Sequence, residues 1–302
     1  MLKKTTRGMT AGMTRRGVGF AVAGGGAGYD TDAQAYITLV EAADSQSLET
    51  GVKDAINAFV VGCKSDGIWD AIKASCILAG ARTLTGALQP LVGTAPQPYN
   101  FVSGDYDRKL GLEGDGATKY LDSNRADDAS PQNDRHFAMY VTTADATDNI
   151  YMGAYDGSNA VTQRFISSGN TSWRLSGTTF YNVNSSNPTG FAGASRASSA
   201  SFQIRQASTD YTASVSSATP STTNFGVFCR LDSGTTPTSP SDGRLSFYSI
   251  GEALDLALLD TRVTSLMAQL AFAINTGLSP VGYSSETIDY VNAGYAAGGT
   301  LA

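Results

Sequence analysis

The chain has 302 residues, of which 41% are hydrophobic and 16% charged, with 33 glycines, a single histidine and a formal net charge of −6. That length allows one large or two modest domains, and the apolar content with so modest a net charge excludes wholesale disorder. The glycines keep no three-residue period, which excludes a collagen-like helix, and no uninterrupted apolar run approaches the ~18 residues of a membrane span.

Residues 1–29 form a basic, glycine-rich arm. Lys3, Lys4, Arg7, Arg15 and Arg16 fall in its first sixteen residues, and no acid precedes Asp30. Residues 17–23 have the outline of a signal-peptide core but are short and diluted by glycine. Such a segment cannot bury enough surface to hold a shape alone, so it is expected to order only against a partner. A solvated tail is the plain reading, and anchoring on an acidic protein surface the sharper one. Nucleic acid is disfavoured, because the rest of the chain is acidic and would repel phosphate.

Residues 30–98 read as helical. Asp30 or Thr31 can cap a turn into Tyr36, Ile37, Leu39 and Val40. Ser47 then opens a segment with Val52, Ile56, Phe59 and Val60 on one face. Trp69, Ile72, Cys76 and Ile77 repeat the helical spacing, Gly80 is a terminator, and Pro96 and Pro98 close the region. These helices are expected to pack.

Residues 99–250 change to an alternating pattern. Candidate strands are 99–102, 110–114, 118–121, 136–142, 150–153, 163–167, 172–175, 179–182, 201–206, 211–215, 225–231 and 244–250, separated by turn signals such as Asp156-Gly157 and Asp242-Gly243. Short strands with regular punctuation predict a mainly β, antiparallel jelly-roll or lectin-like β-sandwich. Parallel α/β is excluded, because no helix-length apolar period intervenes. This region has no lysine after Lys119, and no acid from Gly157 to Thr209. Lysine is a usual device for blunting sheet edges, so the edges are expected to be bulged, paired or covered by neighbouring subunits.

Residues 251–277 read as a helix, with Ser249 and Glu252 in capping-box spacing and Gly277 and Pro280 as stops. Its stripe of Leu259, Val263, Leu266, Leu270 and Ile274 suits packing on the amino-terminal helices or on its own copies around a symmetry axis. Residues 278–302 read as an extended tail.

Little in this chain can run acid–base chemistry. Glu113-Gly114-Asp115 is the nearest approach to paired carboxylates and reads as a turn. His136, with Asp134 before it, reads as a structural residue at a strand end, and there is no Gly-x-Ser-x-Gly elbow. Cys63, Cys76 and Cys229 are too scattered to bind zinc with one histidine and read as buried thiols. Asp105, Asp107, Asp115, Asp127, Asp128 and Asp134 offer hard oxygens in loops without an EF-hand spacing. No catalytic residue, metal ligand or cofactor is therefore assigned, and the chain is expected not to be an enzyme. Sugar contact needs an exposed ring beside amides or hydroxyls. Trp173 and Tyr181 lead the candidates, with Tyr155 and Tyr211 behind, near Asn170, Asn182 and Asn184.

The stretch FVSGDYDRKLGLEGDGATKYLDSNR (101–125) resembles the opening of a domain found in virion structural proteins of tailed bacteriophages, which carry a lectin-like sandwich of the concanavalin A/laminin-G type. Residues 54–93 resemble the helical lead-in of those proteins, and residues 246–274 their closing strand and helix. The resemblance implies a non-enzymatic virion part, assembled in the host cytoplasm and held by the arm to other virion proteins. It suits a homo-oligomer, with a trimer favoured, on the tail or baseplate and in contact with host glycan. Capsid decoration, and polysaccharide degradation behind it, are the alternatives. The family supplies no binding or catalytic motif to carry over.

Overall fold

The computed structural model describes residues 28–297 apart from 147, 167–169, 185–188 and 235. Lys3, Lys4, Arg7, Arg15 and Arg16 lie outside the described residues. The helices are α1 (Thr31–Asp44), α2 (Thr50–Ser65), the short α3 (Leu84–Ala87), α4 (Leu256–Thr276) and α5 (Ser285–Ala296). The strands are β1 (Ile72–Ile77), β2 (Gln97–Tyr99), β3 (Tyr106–Asp107), β4 (Gly111–Glu113), β5 (Tyr120–Ala126), β6 (Arg135–Thr143), β7 (Ile150–Tyr155), β8 (Ala160–Ile166) and β9 (Asn170–Leu175). They continue with β10 (Tyr181–Asn184), β11 (Gly190–Arg196), β12 (Phe202–Gln206), β13 (Thr209–Ala213), β14 (Asn224–Val227), β15 (Cys229–Asp232), β16 (Thr236–Thr238) and β17 (Arg244–Gly251).

The alternating pattern folds as a two-sheet, lectin-like antiparallel sandwich. Sheet A has the order β13-β12-β11-β6-β17-β4-β3 with β1 also on β17, and sheet B the order β10-β9-β8-β7-β14-β5-β2 with β15 and β16 attached. One core lies between the sheets and includes Phe137, Met139, Trp173, Phe225 and Leu245. A second lies between the outer face of sheet A and the helices, where Ala138, Phe191 and Phe247 meet Phe59, Leu259 and Val263. The order is therefore helices, sheet A, sheet B. Three edge strands are blunted by brevity, β3 with two residues, β2 with three and β10 with four, while β13 has five.

Four expectations need correction. Residues 72–77 are strand β1 and not helix: Ala74 and Cys76 enter the inter-sheet core while Ile72 and Ile77 enter the helical one. A strand buried on both faces reads as a continuous apolar run and cannot be told from a helix by period alone. Strand β11, a middle strand of sheet A, has no counterpart among the candidates because its sequence GFAGASR lacks bulky alternation. Its smallness is required by α4: a Cβ on Gly193 would stand 3.0 Å from the Ala138 Cβ and 3.1 Å from a Leu256 methyl.

The cap of α4 is Asp255, whose carboxylate accepts from the Ala257 and Leu258 N–H groups. Ser249 lies within β17, so its spacing to Glu252 is fortuitous. Finally, the expected extended tail contains α5, capped by Ser284. That helix buries only Ile288, so it leaves little apolar period in the sequence. By length and composition α4 is apolar enough to cross a membrane, but here its stripe is spent on α2 and sheet A.

Candidate functional site

The sequence-predicted sugar contacts are divided between the core and the surface. Trp173 is fully buried, because the alternation of β9 turns Thr171, Trp173 and Leu175 into the sandwich. Its Nε1 donates to Thr171 Oγ1 at 2.9 Å, and that hydroxyl donates to Gln206 Oε1 on the opposite sheet at 2.6 Å. Tyr181 stands opposite Trp173 in the ladder and packs on the same core, as does Tyr211. Tyr155 is half-buried beneath the guanidinium of Arg230, 4.9 Å from its ring centre. Asn182 and Asn184 are exposed. In α4, Leu259, Val263, Leu266 and Leu270 are buried within this chain's own helical core and Ile274 packs on its margin.

Most candidate reactive groups are bound up in structure. His136 is 1% exposed; its Nδ1 donates to the Glu252 carbonyl at 2.5 Å and its Nε2 accepts from Ser249 Oγ at 2.7 Å. Burial pushes its pKa down to about 4, so the ring is neutral. A serine beside a histidine is present, but a carbonyl stands where a carboxylate would be and no substrate can reach it. Asp134 accepts from the Ala253 N–H, and Glu113 is paired with Arg244. Asp115 accepts from the Ala117, Thr118 and Lys119 N–H groups. Burial opposes ionisation there, and these donors still hold the carboxyl well below its usual range. Asp127 and Arg135 form a buried ion pair at 3.1 Å, with burial raising Asp127 to about 6 against that pull. Cys63, Cys76 and Cys229 are buried free thiols, and burial lifts the first two to about 12. Among the described residues no three His, Cys, Asp or Glu side chains gather as metal ligands.

Two features on the helical layer are less committed. The first is a junction at Asp54 of α2, where Tyr29 Oη donates to one carboxylate oxygen at 3.0 Å and Ser279 Oγ to the other. Tyr29, just before α1, and the segment after α4 thus meet on one side chain. Beside it Leu278, Val281 and Tyr283 are 48%, 71% and 46% exposed. The Leu278 carbonyl lies so close to Gly51 that a Cβ there would be 2.2 Å away, which fixes the segment against α2.

The second is Trp69, in the 3-10 turn Trp69–Ala71 just past the end of α2. The half-exposed indole is held by Nε1–H donating to Asp32 Oδ2 at 3.2 Å. Lys64 bridges Asp30 and Asp32 at 2.6 and 2.7 Å, its ammonium 5.8 Å from the ring centre. A recess of about 360 Å³ is lined by Asp32, Lys64, Gly67, Trp69 and Asp70. Another of about 260 Å³, sharing Asp32 and Trp69, is walled by Leu39, Pro90 and Val92. Sequence reasoning assigned Trp69 to a helix face. The signal that could have singled it out is the Gly67-Ile68-Trp69-Asp70 run, with a glycine breaking the helix before the ring. A third recess, of about 400 Å³ between α4, α5 and the β12–β13 turn, has a floor already paired: Asp260 accepts from Arg205 at 2.7 Å and Thr264 at 2.9 Å.

No family model and no curated protein matches this chain. Solved structures similar to it include domains LG4-5 of the mouse laminin alpha1 chain, at 13% identity and TM-score 0.34, covering 56% of this chain and 47% of that one. The NanB sialidase of Streptococcus pneumoniae is similar at 10% identity and TM-score 0.37, covering 49% of this chain and 27% of the sialidase. The CBM40 of Ruminococcus gnavus IT-sialidase is similar at 11% identity and TM-score 0.32, covering 43% and 82%. This chain thus spans less than half of the laminin and NanB chains.

Proposed function

We propose that this chain is a non-enzymatic structural protein of a tailed-phage virion, holding its sandwich outward on the tail or baseplate. The helical layer and the basic arm fix it to other virion proteins as a symmetric oligomer, a trimer being favoured. The resemblance of residues 54–93, 101–125 and 246–274 to such proteins supplies the virion setting. The observation that carries the arrangement is the Asp54 junction. Tyr29, where the arm joins the body, and Ser279 share that carboxylate. Tyr29 and the exposed apolar side chains of Leu278, Val281 and Tyr283 therefore lie together on the helical layer. Exposed apolar groups beside a cationic arm suit an acidic protein partner with an apolar centre. The engagement of His136, Glu113, Asp115 and Asp127 in structural contacts supports the absence of catalysis.

The test is deletion of residues 1–27 in the assembling particle. The truncated protein is expected to keep its circular dichroism and melting transition and to be missing from purified particles. Normal incorporation would remove the anchoring role. A rise in reducing ends on incubation with host polysaccharide would replace the whole reading with an enzymatic one.

A further inference from the structure

From the Trp69 recess we infer a binding site for a neutral or amino-substituted sugar ring that discriminates against anionic sugars. This goes beyond the structural role and stands on different residues. Trp69 and Asp54 lie towards opposite ends of α2, a helix of about 24 Å at 1.5 Å per residue. The recess shares no lining residue with the exposed Leu278, Val281 and Tyr283.

The chemistry follows from what surrounds the indole. A pyranose has an apolar C–H face and an equatorial rim of hydroxyls, so it needs a flat ring for the first and fixed acceptors for the second. An aromatic ring supplies the flat surface, and Trp69 lines the recess while packing on the helical core. Trp69 is pre-set for this, because Asp32 anchors its Nε1 and Lys64 anchors Asp32. Little ordering is then left to be done on binding, which favours affinity. Asp70, exposed at the rim and without a hydrogen-bond partner among the described residues, can accept from two adjacent hydroxyls, and Lys64 can donate. Gly67, at φ +71°, has open space where a Cβ would stand, so the floor between Lys64 and Trp69 is clear. The recess of about 360 Å³ is near the lower end of the ~300–1,000 Å³ typical of small-ligand sites. The adjoining wall of Leu39, Pro90 and Val92 offers an apolar berth for an N-acetyl methyl or an aglycone.

Charge sets the selectivity. Asp32 and Asp70 share the lining with a single ammonium, that of Lys64, so the recess is net negative. A carboxylate-bearing sugar meets repulsion there, and a free amine is drawn in.

Only Trp69 and Trp173 are present, and Trp173 is fully buried, so ligand-dependent tryptophan emission reports on Trp69. The full-length protein is titrated with the methyl glycosides of glucose, galactose, N-acetylglucosamine, glucosamine and N-acetylneuraminic acid. At least one neutral or amino sugar is expected to give a saturable change at millimolar concentration, with N-acetylneuraminate at least tenfold weaker. Calorimetry on Trp69→Ala should show the binding lost with the melting transition kept, and Asp70→Asn should narrow the margin against the anionic sugar. Three results would overturn the inference: no sugar altering the emission, N-acetylneuraminate binding as tightly as the neutral rings, or calorimetric binding surviving Trp69→Ala. Trp69→Ala protein should still enter particles, so failure here and failure of the anchoring role are read separately.

Discussion

Sheets A and B share one core yet treat their outer faces in opposite ways. Sheet A hides its outer face under α2 and α4, with Phe247 ring-to-ring against Phe59 at 5.8 Å and Gly193 making room for Leu256. Sheet B has no described helix packed on it and carries polar pairs that satisfy one another. Arg230 forks onto Asp232 at 2.6 and 2.8 Å, and Asn224 reaches both oxygens of Asp122 at 2.9 and 3.2 Å. The first arrangement makes the sheet depend on the helices, and the second leaves it free to be presented. If that contrast is right, equal perturbations on the two faces should have very unequal effects.

The largest effect is expected from Phe247→Ala, which empties the contact between sheet A and the helical layer. Truncating a fully buried phenylalanine costs about 3–5 kcal/mol, from lost transfer energy and the cavity left behind. Urea unfolding should show the midpoint falling accordingly. A loss below about 1 kcal/mol would mean that the helices are merely laid on the sheet.

Next in size is a pH effect at the same layer. His136 bridges β17 and the Glu252 carbonyl with its folded pKa near 4, against about 6.5 for an unfolded histidine. The folded form stays neutral while the unfolded chain takes up a proton. The stability it contributes is therefore complete above about pH 6.5 and is lost as pH falls towards 4, by roughly 3 kcal/mol. Two acids run the other way. Burial, with Asp242 at its side, raises Asp145 to about 7, and burial raises Asp127 to about 6. Their protonation favours the fold over the same fall in pH. The clean measurement is the difference between wild type and His136→Gln across pH 4–7. It should shrink steadily with acidity, and a flat difference would disprove the assignment.

Much of the fold was legible because sheet B and the outer helices obey single periods. The stripes of Val52, Ile56, Phe59 and of Leu259, Val263, Leu266 face inward as their spacing requires, and the alternation of β9 survives intact. What failed to read lies where two layers meet. Strand β1 is apolar on both faces, and β11 is small on one face because a helix rests there. At the site level Trp173 misled, since alternation places a ring on one face or the other without saying which is inside. Trp69 was missed because its helical spacing with Ile72, Cys76 and Ile77 grouped it with residues that form strand β1.

Gly193→Val tests that tight fit directly. The added methyls would press on Ala138 and Leu256, and overpacking of this kind costs about 1–3 kcal/mol. Pairing it with Leu256→Ala, which opens space on the helix side, should recover part of the loss. Additive losses would mean that β11 and α4 are not in register at this point.

Arg230→Ala, on the opposite sheet, should give the smallest effect. The guanidinium lies over Tyr155 at 4.9 Å and forks onto Asp232, with the two side chains 21% and 24% exposed. A partly solvated pair gains little over its hydrated components, and a stacked cation adds only modestly, so a loss under about 1 kcal/mol is expected. Asp232 keeps Thr238 Oγ1 as a donor at 2.7 Å, so no carboxylate is stranded by the change. A loss as large as that of Phe247→Ala would mean that the outer face of sheet B is held as tightly as that of sheet A, and the asymmetry that lets this sandwich be presented on one side would be gone.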